Sequence, residues 1–127
     1  MQDPLFLTLA EVVEIHTDQI QRYGGQSSIR DLALLQSALS QPQATFGGIW
    51  LHEDLFEMAS AYAFHVCQNH PFFDGNKRAA LACCLVFLEI NGVSLRDPKG
   101  MLYESMMGIA TSKMSKKEFA TFLRRLK

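Results

Sequence analysis

The stretch that decides the fold runs from His70 to Asn91 and reads HPFFDGNKRAALACCLVFLEIN. Its first part, His70 to Arg78, is dense in polar and charged side chains. Its second part, Ala79 to Leu88, is apolar on nearly every face of a helix. A helix that is apolar all round lies in the core of a protein. The sequence therefore predicts a buried central helix with a polar cluster at its N-terminal end.

Further helices are predicted on both sides of this central helix. They are marked by capping residues, by apolar residues at helical spacing, and by Gly or Pro at their ends. No stretch alternates polar and apolar residues strongly enough to predict a long strand. We therefore expect an all-α fold of about six helices. The flanking ones run from Thr8 to Gly24, from Ser28, with Asp31 as the second part of its start signal, to Pro42, from Asp54 to Asn69, from Met101 to Thr111 and from Ser115 to Lys127.

The composition is that of an ordinary globular protein. The length of 127 residues fits one domain, and we predict a single domain over residues 1–127. A net charge of -1 offers no general basic surface, so direct nucleic-acid binding is not expected. No apolar run is long enough to cross a membrane, and the N-terminus lacks a signal-peptide pattern. We therefore expect a cytoplasmic protein that does not bind membranes.

One segment, from Gln41 to His52, lacks helical periodicity and contains the pair Gly47-Gly48. We expect a loop or a short hairpin there. Its large apolar residues, Phe46, Ile49 and Trp50, have two interpretations. They pack into the core, as apolar loop residues usually do, or they are presented to a partner as a flap beside the functional site.

The start of the central helix has the features of a phosphate site. The first N–H groups of a helix have no partners within it, and they lie at the positive end of its dipole. Gly75 allows close approach of the backbone, and Lys77 and Arg78 add positive charge. We therefore predict that Gly75, Asn76, Lys77 and Arg78 bind phosphate oxygens.

Two further residues of this segment suit phosphoryl chemistry. Asp74 offers the hard oxygen that Mg²⁺ prefers, and one or two carboxylates are enough for Mg²⁺ when substrate phosphates complete its coordination. His70 is the residue of the segment that can accept a proton near neutral pH, as a general base does when a hydroxyl attacks phosphorus. Positioning and charge stabilisation supply most of the rest of such a reaction.

Each of these residues also has a structural interpretation. A His beside Pro often caps a helix, and Asp-Gly is commonly a turn. A purely structural loop, however, does not need so many polar groups together. We interpret other candidates as structural: Phe72 as a core anchor, the remaining histidines His16, His52 and His65 as packed residues, and Cys67, Cys83 and Cys84 as reduced core residues.

His70-Pro71-Phe72-Phe73-Asp74-Gly75-Asn76-Lys77-Arg78 closely resembles the Fic/Doc signature, His-Pro-Phe-x-Asp/Glu-Gly-Asn-Gly/Lys-Arg. The resemblance extends over nearly the whole chain. Residues that look like the death-on-curing (Doc) branch of this family are Ile15-His16, Arg22-Tyr23-Gly24-Gly25, Arg30-Asp31 and Asn91-Gly92.

The resemblance implies an all-α Fic fold and an enzyme that uses ATP to modify a hydroxyl group of a target protein. By motif position, His70 would be the general base, Asp74 the Mg²⁺ ligand and Arg78 a phosphate clamp, with Gly75 and Asn76 contributing backbone amides. A target-binding flap would align the target peptide by strand-like pairing. By position along the chain, it would consist of Thr45, Phe46, Gly47, Gly48, Ile49 and Trp50.

Lys77 bears on which group is transferred. Many Fic nucleotidyl transferases have Gly at this position, which leaves room for further phosphates, whereas the Doc branch has Lys. Doc-like members are thought to transfer the γ-phosphate of ATP to elongation factor Tu, as kinases. Pro71 and Gly75, however, are shared with the nucleotidyl transferases. We favour phosphate transfer, with nucleotidyl transfer (AMPylation) as the alternative and a catalytically silent peptide-binding or nucleotide-binding module as another.

The resemblance also implies a partner. Self-inhibiting Fic proteins resemble one another in a helix whose Glu, followed by Gly or Asn, occupies the phosphate site, and no Glu of this chain is followed by either residue. The activity would then be inhibited by a separate antitoxin, with a disordered segment that folds into a groove of the toxin as it binds. The expected protein is thus the toxin of a bacterial toxin–antitoxin pair that inhibits translation.

Overall fold

The computed structural model describes residues 3–127, and that part of the chain contains six helices and one two-stranded hairpin. Helices carry nearly all of its regular structure, which confirms the prediction of an all-α fold. That residues 1–127 form a single domain stays a prediction. The elements are α1 (Leu9–Tyr23), α2 (Leu32–Ser40), β1 (Thr45–Phe46), β2 (Ile49–Trp50), α3 (Leu55–Asn69), α4 (Asn76–Ile90), α5 (Leu102–Ala110) and α6 (Lys116–Arg125).

The core is built on the antiparallel pair α3 and α4, which the short segment from His70 to Gly75 connects. Helix α4 is the predicted central helix, and helices α1, α3 and α5 pack around it. Helix α6 packs mainly on α3. Burial of large apolar side chains from all these elements supplies the main driving force for folding. The fully buried α4 residues are Ala79, Ala80, Cys83, Cys84 and Phe87.

The helix ends follow the capping residues of the sequence, with one correction. Thr8 caps α1 and Ser115 caps α6, each in the reciprocal capping box that was predicted. Helix α2 begins only at Leu32, since the Asp31 side chain accepts a hydrogen bond from the Leu34 N–H. The predicted start at Ser28 is therefore wrong. Residues before Asp31 are instead extended beside the segment that follows α3.

Residues 45–50 form the short hairpin, in which Thr45 pairs with Trp50 and Phe46 with Ile49. Gly47 and Gly48 both have positive φ, as a two-residue hairpin turn requires. Of the three large apolar residues only Trp50 packs, as the first interpretation expects, and presentation of the other two to a partner stays a prediction. Phe46 and Ile49 are 84% and 73% exposed, whereas Trp50 is half-buried against Phe6, with 5.4 Å between ring centroids.

Two predictions about the remaining sequence can be compared with the structure. Within residues 3–127 no helix is long and apolar enough to span a membrane. The three cysteines, Cys67, Cys83 and Cys84, are buried and unpaired, as expected for core residues. Burial raises the pKa of the Cys83 thiol to about 12, so this side chain is an inert core group at neutral pH.

Candidate functional site

His70 lies directly after α3, as the residue that caps its C-terminal end. Its backbone adopts the left-handed conformation, with φ 51° and ψ 51°, which non-glycine residues rarely adopt. The imidazole is exposed to solvent, and no residue of the described chain forms a hydrogen bond with it. The ring is therefore free to meet a substrate hydroxyl.

The loop after His70 is anchored by Phe72, which is fully buried as predicted. Its ring stacks on the imidazole of His16 from α1, with centroids 3.7 Å apart and planes within 5°. His16 also donates a hydrogen bond from Nε2 to the backbone oxygen of Asp74, at 2.8 Å. This confirms a structural role for His16 and places α1 directly beneath the motif.

The carboxylate of Asp74 is held in place from outside the motif. Its Oδ2 accepts a hydrogen bond from the backbone N–H of Gln26, at 2.8 Å, while Oδ1 has no hydrogen-bond partner among residues 3–127. The side chain is exposed. No group of three His, Cys, Asp or Glu side chains in the described chain is placed to hold a metal. One oriented carboxylate with a free oxygen suits Mg²⁺, which binds proteins through few side chains together with water and phosphates.

The N-terminal end of α4 has unpaired backbone donors. Gly75 is its N-cap, with φ 76° and no side chain to cap the helix. The backbone N–H groups of Asn76, Lys77 and Arg78 have no protein acceptor within the described residues. The buried side chain of Asn76, in contrast, binds the backbone of Phe72 and does not face solvent. Asn76 can therefore contribute only its backbone amide to an anion.

The predicted motif residues come together around one open cavity of about 490 Å³. Its size suits the phosphate groups of a nucleotide, and its wall combines a free carboxylate, unpaired amides and two cations. Aromatic residues for which no role was predicted also border it. The lining residues are His70, Asp74, Gly75, Asn76, Lys77 and Arg78 from the motif, with Tyr23, Phe73 and Tyr103 among their neighbours.

Arg78 is oriented by an aromatic residue of α1. Its guanidinium carbon lies 4.2 Å from the centroid of the Tyr23 ring, a cation–π contact. Tyr23 and Arg78 border both this cavity and an adjoining, more apolar one. The position of Arg78 thus places one positive charge at the boundary between a phosphate-sized space and an apolar groove.

The structure does not bring the hairpin into this cavity. None of Thr45, Phe46, Gly47, Gly48, Ile49 and Trp50 lines it. Trp50 instead contacts Phe6, which stacks near Phe87 at the opposite end of α4 from the motif. The expectation that the hairpin lies beside the functional site is therefore wrong, because the hairpin precedes α3 and the motif follows it. Helix α3 has 15 residues, a length of roughly 22 Å at 1.5 Å per residue. That the hairpin binds the target stays a prediction.

A different segment, residues 26–31, runs beside the motif. Ile29 forms an antiparallel bridge with Phe72, and the N–H of Phe73 donates to the Ser28 oxygen at 3.2 Å. Gln26 and Arg30, which hold Asp74 and His70, come from the same segment. The sequence offered one signal for it, the family-like Arg30-Asp31 pair, but that pair carried no assigned role.

Comparison with families of known proteins agrees with the fold and the motif geometry. The Fic/DOC family model matches residues 6–88, which include the complete motif and α1 to α3. This match covers more than half of the chain, so the protein belongs to the Fic/DOC family.

Two curated relatives are similar to the chain. One, named Toxin Doc, from Mycolicibacterium smegmatis, is 42% identical over 73 residues, which cover 58% of this chain and 56% of that protein. The other, named Protein kinase doc, from Escherichia phage P1, is 34% identical over 116 residues, which cover 91% of this chain and 90% of that protein. The match thus spans little more than half of the first relative and nearly all of the second.

Proposed function

We propose that the protein is the toxin of a toxin–antitoxin pair and that it transfers phosphate from ATP to a Ser or Thr hydroxyl of a target protein. The observation that carries this proposal is the single cavity shared by His70, the Asp74 carboxylate and the unpaired amides that begin α4. A base, a metal carboxylate and a preorganised anion site are the groups that phosphoryl transfer requires of a protein. The names of both relatives agree with it.

Each residue has a defined part in this proposal. His70 accepts the proton of the target hydroxyl through its exposed imidazole. The amides of Asn76, Lys77 and Arg78 and the charges of Lys77 and Arg78 bind phosphate oxygens and stabilise the negative charge that develops on them. Asp74 would hold Mg²⁺ through its free oxygen, and a bound Mg²⁺ would neutralise phosphate charge. Gln26 keeps that oxygen oriented through its contact with Oδ2.

Lys77 favours phosphate transfer over nucleotidyl transfer. Its side chain is exposed at the first turn of α4 and lines the cavity where a longer polyphosphate would extend. The lysine side chain, with its four-carbon stem and its charge, reduces the space for phosphates beyond the reacting one. The relative named Protein kinase doc, matched over nine-tenths of its length, supports the same choice. Nucleotidyl transfer is the second candidate, supported by Pro71 and Gly75.

Two partners follow from the proposal. One is the protein substrate, for which elongation factor Tu is the first candidate to test. The other is an antitoxin that acts in trans, because none of the glutamates of this chain precedes Gly or Asn in the self-inhibitory pattern. The apolar groove beside Arg78 offers such a segment a place to fold on binding.

The position of a radioactive label distinguishes the two chemistries. Purified protein is incubated with Mg²⁺, elongation factor Tu and ATP labelled at either the α- or the γ-phosphate. Label arriving only from the γ-position supports phosphate transfer, and label arriving only from the α-position shows nucleotidyl transfer instead. Mass spectrometry of proteins modified after brief expression extends the same question to unknown targets.

Substitution of His70 tests whether the domain is an enzyme at all. His70→Ala should lower the transfer rate about 10²- to 10⁴-fold, the usual contribution of a general base. Gln21→Ala, at an exposed position of α1, is the matched control and should keep the full rate. Label transfer retained in His70→Ala would refute His70 as the general base, whereas growth inhibition retained in His70→Ala with no label transfer from the unsubstituted protein would show a silent binding module.

A further inference from the structure

Arg30 makes three hydrogen bonds to the backbone of residues 69–71, which include His70. Its Nε donates to the carbonyl oxygen of His70 at 2.8 Å, and its Nη2 donates to the carbonyl oxygen of Asn69 at 3.2 Å. Its own backbone N–H donates to the carbonyl oxygen of Pro71 at 2.7 Å. One residue thus binds three consecutive carbonyl groups at the end of α3.

These carbonyl groups need such a partner. The last carbonyl groups of a helix accept no hydrogen bond from within the helix. A cation at this end also interacts favourably with the negative end of the helix dipole. Helices commonly end in Gly in the left-handed conformation, whereas here the residue is His70, with φ 51°. An L-residue in this conformation returns readily to a more favourable one unless its surroundings hold it.

The backbone conformation of His70 sets the direction in which its side chain leaves the main chain. No described residue forms a hydrogen bond with the ring, and the side chain is exposed, so the ring has no support of its own. The Cα–Cβ direction is therefore determined by φ and ψ, which the guanidinium of Arg30 restrains through the flanking carbonyls. Arg30 itself is anchored by the bridge between Ile29 and Phe72 and by the bond from the Asp31 N–H to the Pro71 oxygen.

We propose that Arg30 is a positioning residue, whose guanidinium holds His70 in the left-handed conformation that directs the imidazole toward the reacting hydroxyl. This inference rests on the proposed role of His70 as general base. Arg30 does not line the cavity in which the phosphates would bind. Its loss should therefore affect the chemical step more than the binding of ATP.

Steady-state kinetics of Arg30→Ala test this inference. We expect kcat to fall about 10- to 100-fold, the size of effect that a small misplacement of a catalytic group produces, while the KM for ATP changes little. Arg30→Lys, which keeps one donor, should retain an intermediate kcat. Millimolar guanidinium ion should restore part of the kcat of Arg30→Ala and none of that of His70→Ala. Arg22→Ala is the control, because Arg22 bonds only with the exposed side chain of Asp18 in the described chain.

A structural readout separates this inference from the proposed function. The ring signals of His70 in a ¹H–¹³C NMR spectrum should broaden or move toward unfolded-chain values in Arg30→Ala, and guanidinium ion should reverse the change. Unaltered His70 signals or an unaltered kcat in a folded Arg30→Ala protein would overturn the inference. If Arg30→Ala does not fold, a wild-type kcat in Arg30→Lys together with unaltered His70 signals would overturn it. Activity retained in His70→Ala would instead refute the general base, and the NMR result would still decide the role of Arg30.

Discussion

The side-chain amide of Asn76 forms a closed pair of hydrogen bonds with the backbone of Phe72. Its oxygen accepts from the Phe72 N–H at 3.0 Å, and its nitrogen donates to the Phe72 carbonyl at 2.9 Å. Both residues are buried. Asn76, the first residue of α4, thus fixes the loop that precedes the helix. Its side chain supports the site by holding this loop in place.

Asn76→Asp should destabilise the protein, because a carboxylate cannot donate to the Phe72 carbonyl and would itself be buried. Leaving one buried polar group unsatisfied costs about 1–3 kcal/mol, and burial of the charge adds to this. The free energy of unfolding from urea titration at pH 7.5 measures the loss. Gln36→Glu, an equivalent change on an exposed face of α2, should alter stability by less than about 0.5 kcal/mol. Equal effects of the two substitutions would contradict the structural role of Asn76.

Gly75→Ala should impair both stability and nucleotide binding. The position has φ 76°, and an added Cβ would lie 3.0 Å from the Ile20 Cδ1 atom. Gly48→Ala is a matched control, since Gly48 has φ 80° and open space around it. The control isolates the backbone cost of about 1–2 kcal/mol. We expect a larger loss in Gly75→Ala, together with weaker binding of ATP in isothermal titration calorimetry, and ATP affinity equal to wild type in both variants would disprove the close approach at Gly75.

A second cluster, outside the motif, predicts a pH dependence of stability. Burial and the nearby charge of Lys116 lower the pKa of His65 to about 4, and the same two causes lower the pKa of His52. The Lys116 ammonium donates to His65 Nε2 at 3.2 Å. The unfolded chain, in which a His has a pKa near 6.5, therefore binds more protons than the folded protein below that pH.

Stability should consequently be highest above pH 6.5 and fall as the pH decreases toward 4. The contribution of His65 is on the order of 1–2 kcal/mol after allowance for its partial exposure. His65→Gln keeps an acceptor for Lys116 and removes the titrating ring, so its unfolding free energy should depend less on pH over this range. Lys117→Gln, at the exposed neighbouring position, should behave like the wild type. A pH dependence unchanged by His65→Gln would exclude His65 as its source.

The hairpin gives a prediction about target binding. Phe46→Ser and Ile49→Ser should leave stability within about 0.5 kcal/mol of the wild type, because both side chains are largely exposed. Trp50→Ala should cost about 2 kcal/mol or more, since its ring packs on Phe6. If the hairpin binds the target, Phe46→Ser lowers kcat/KM for the protein substrate and leaves the KM for ATP unaltered. An unchanged kcat/KM would refute that role.

The features that the sequence predicted well are local ones. The capping boxes at Thr8 and Ser115 and the apolar face of α4 depend on residues within a few positions of one another, so spacing alone reveals them. The start of α2 was predicted too early in the chain for a physical reason. Ser28 and Asp31 are both good capping residues, and the pairing of Ile29 with Phe72 selected Asp31 by keeping Ile29 extended.

The sequence by itself determined the helical fold and the motif from His70 to Arg78, because helix periodicity, capping and the chemistry of the side chains are all contained in short stretches. The tertiary structure decided what surrounds that motif. It placed the hairpin at the far end of α3 and brought Arg30 to His70 across 40 positions of chain. Such contacts arise when whole helices pack, and the packing depends on the shapes of several buried surfaces together. No local pattern around Arg30 could therefore show which carbonyl groups its guanidinium would bind.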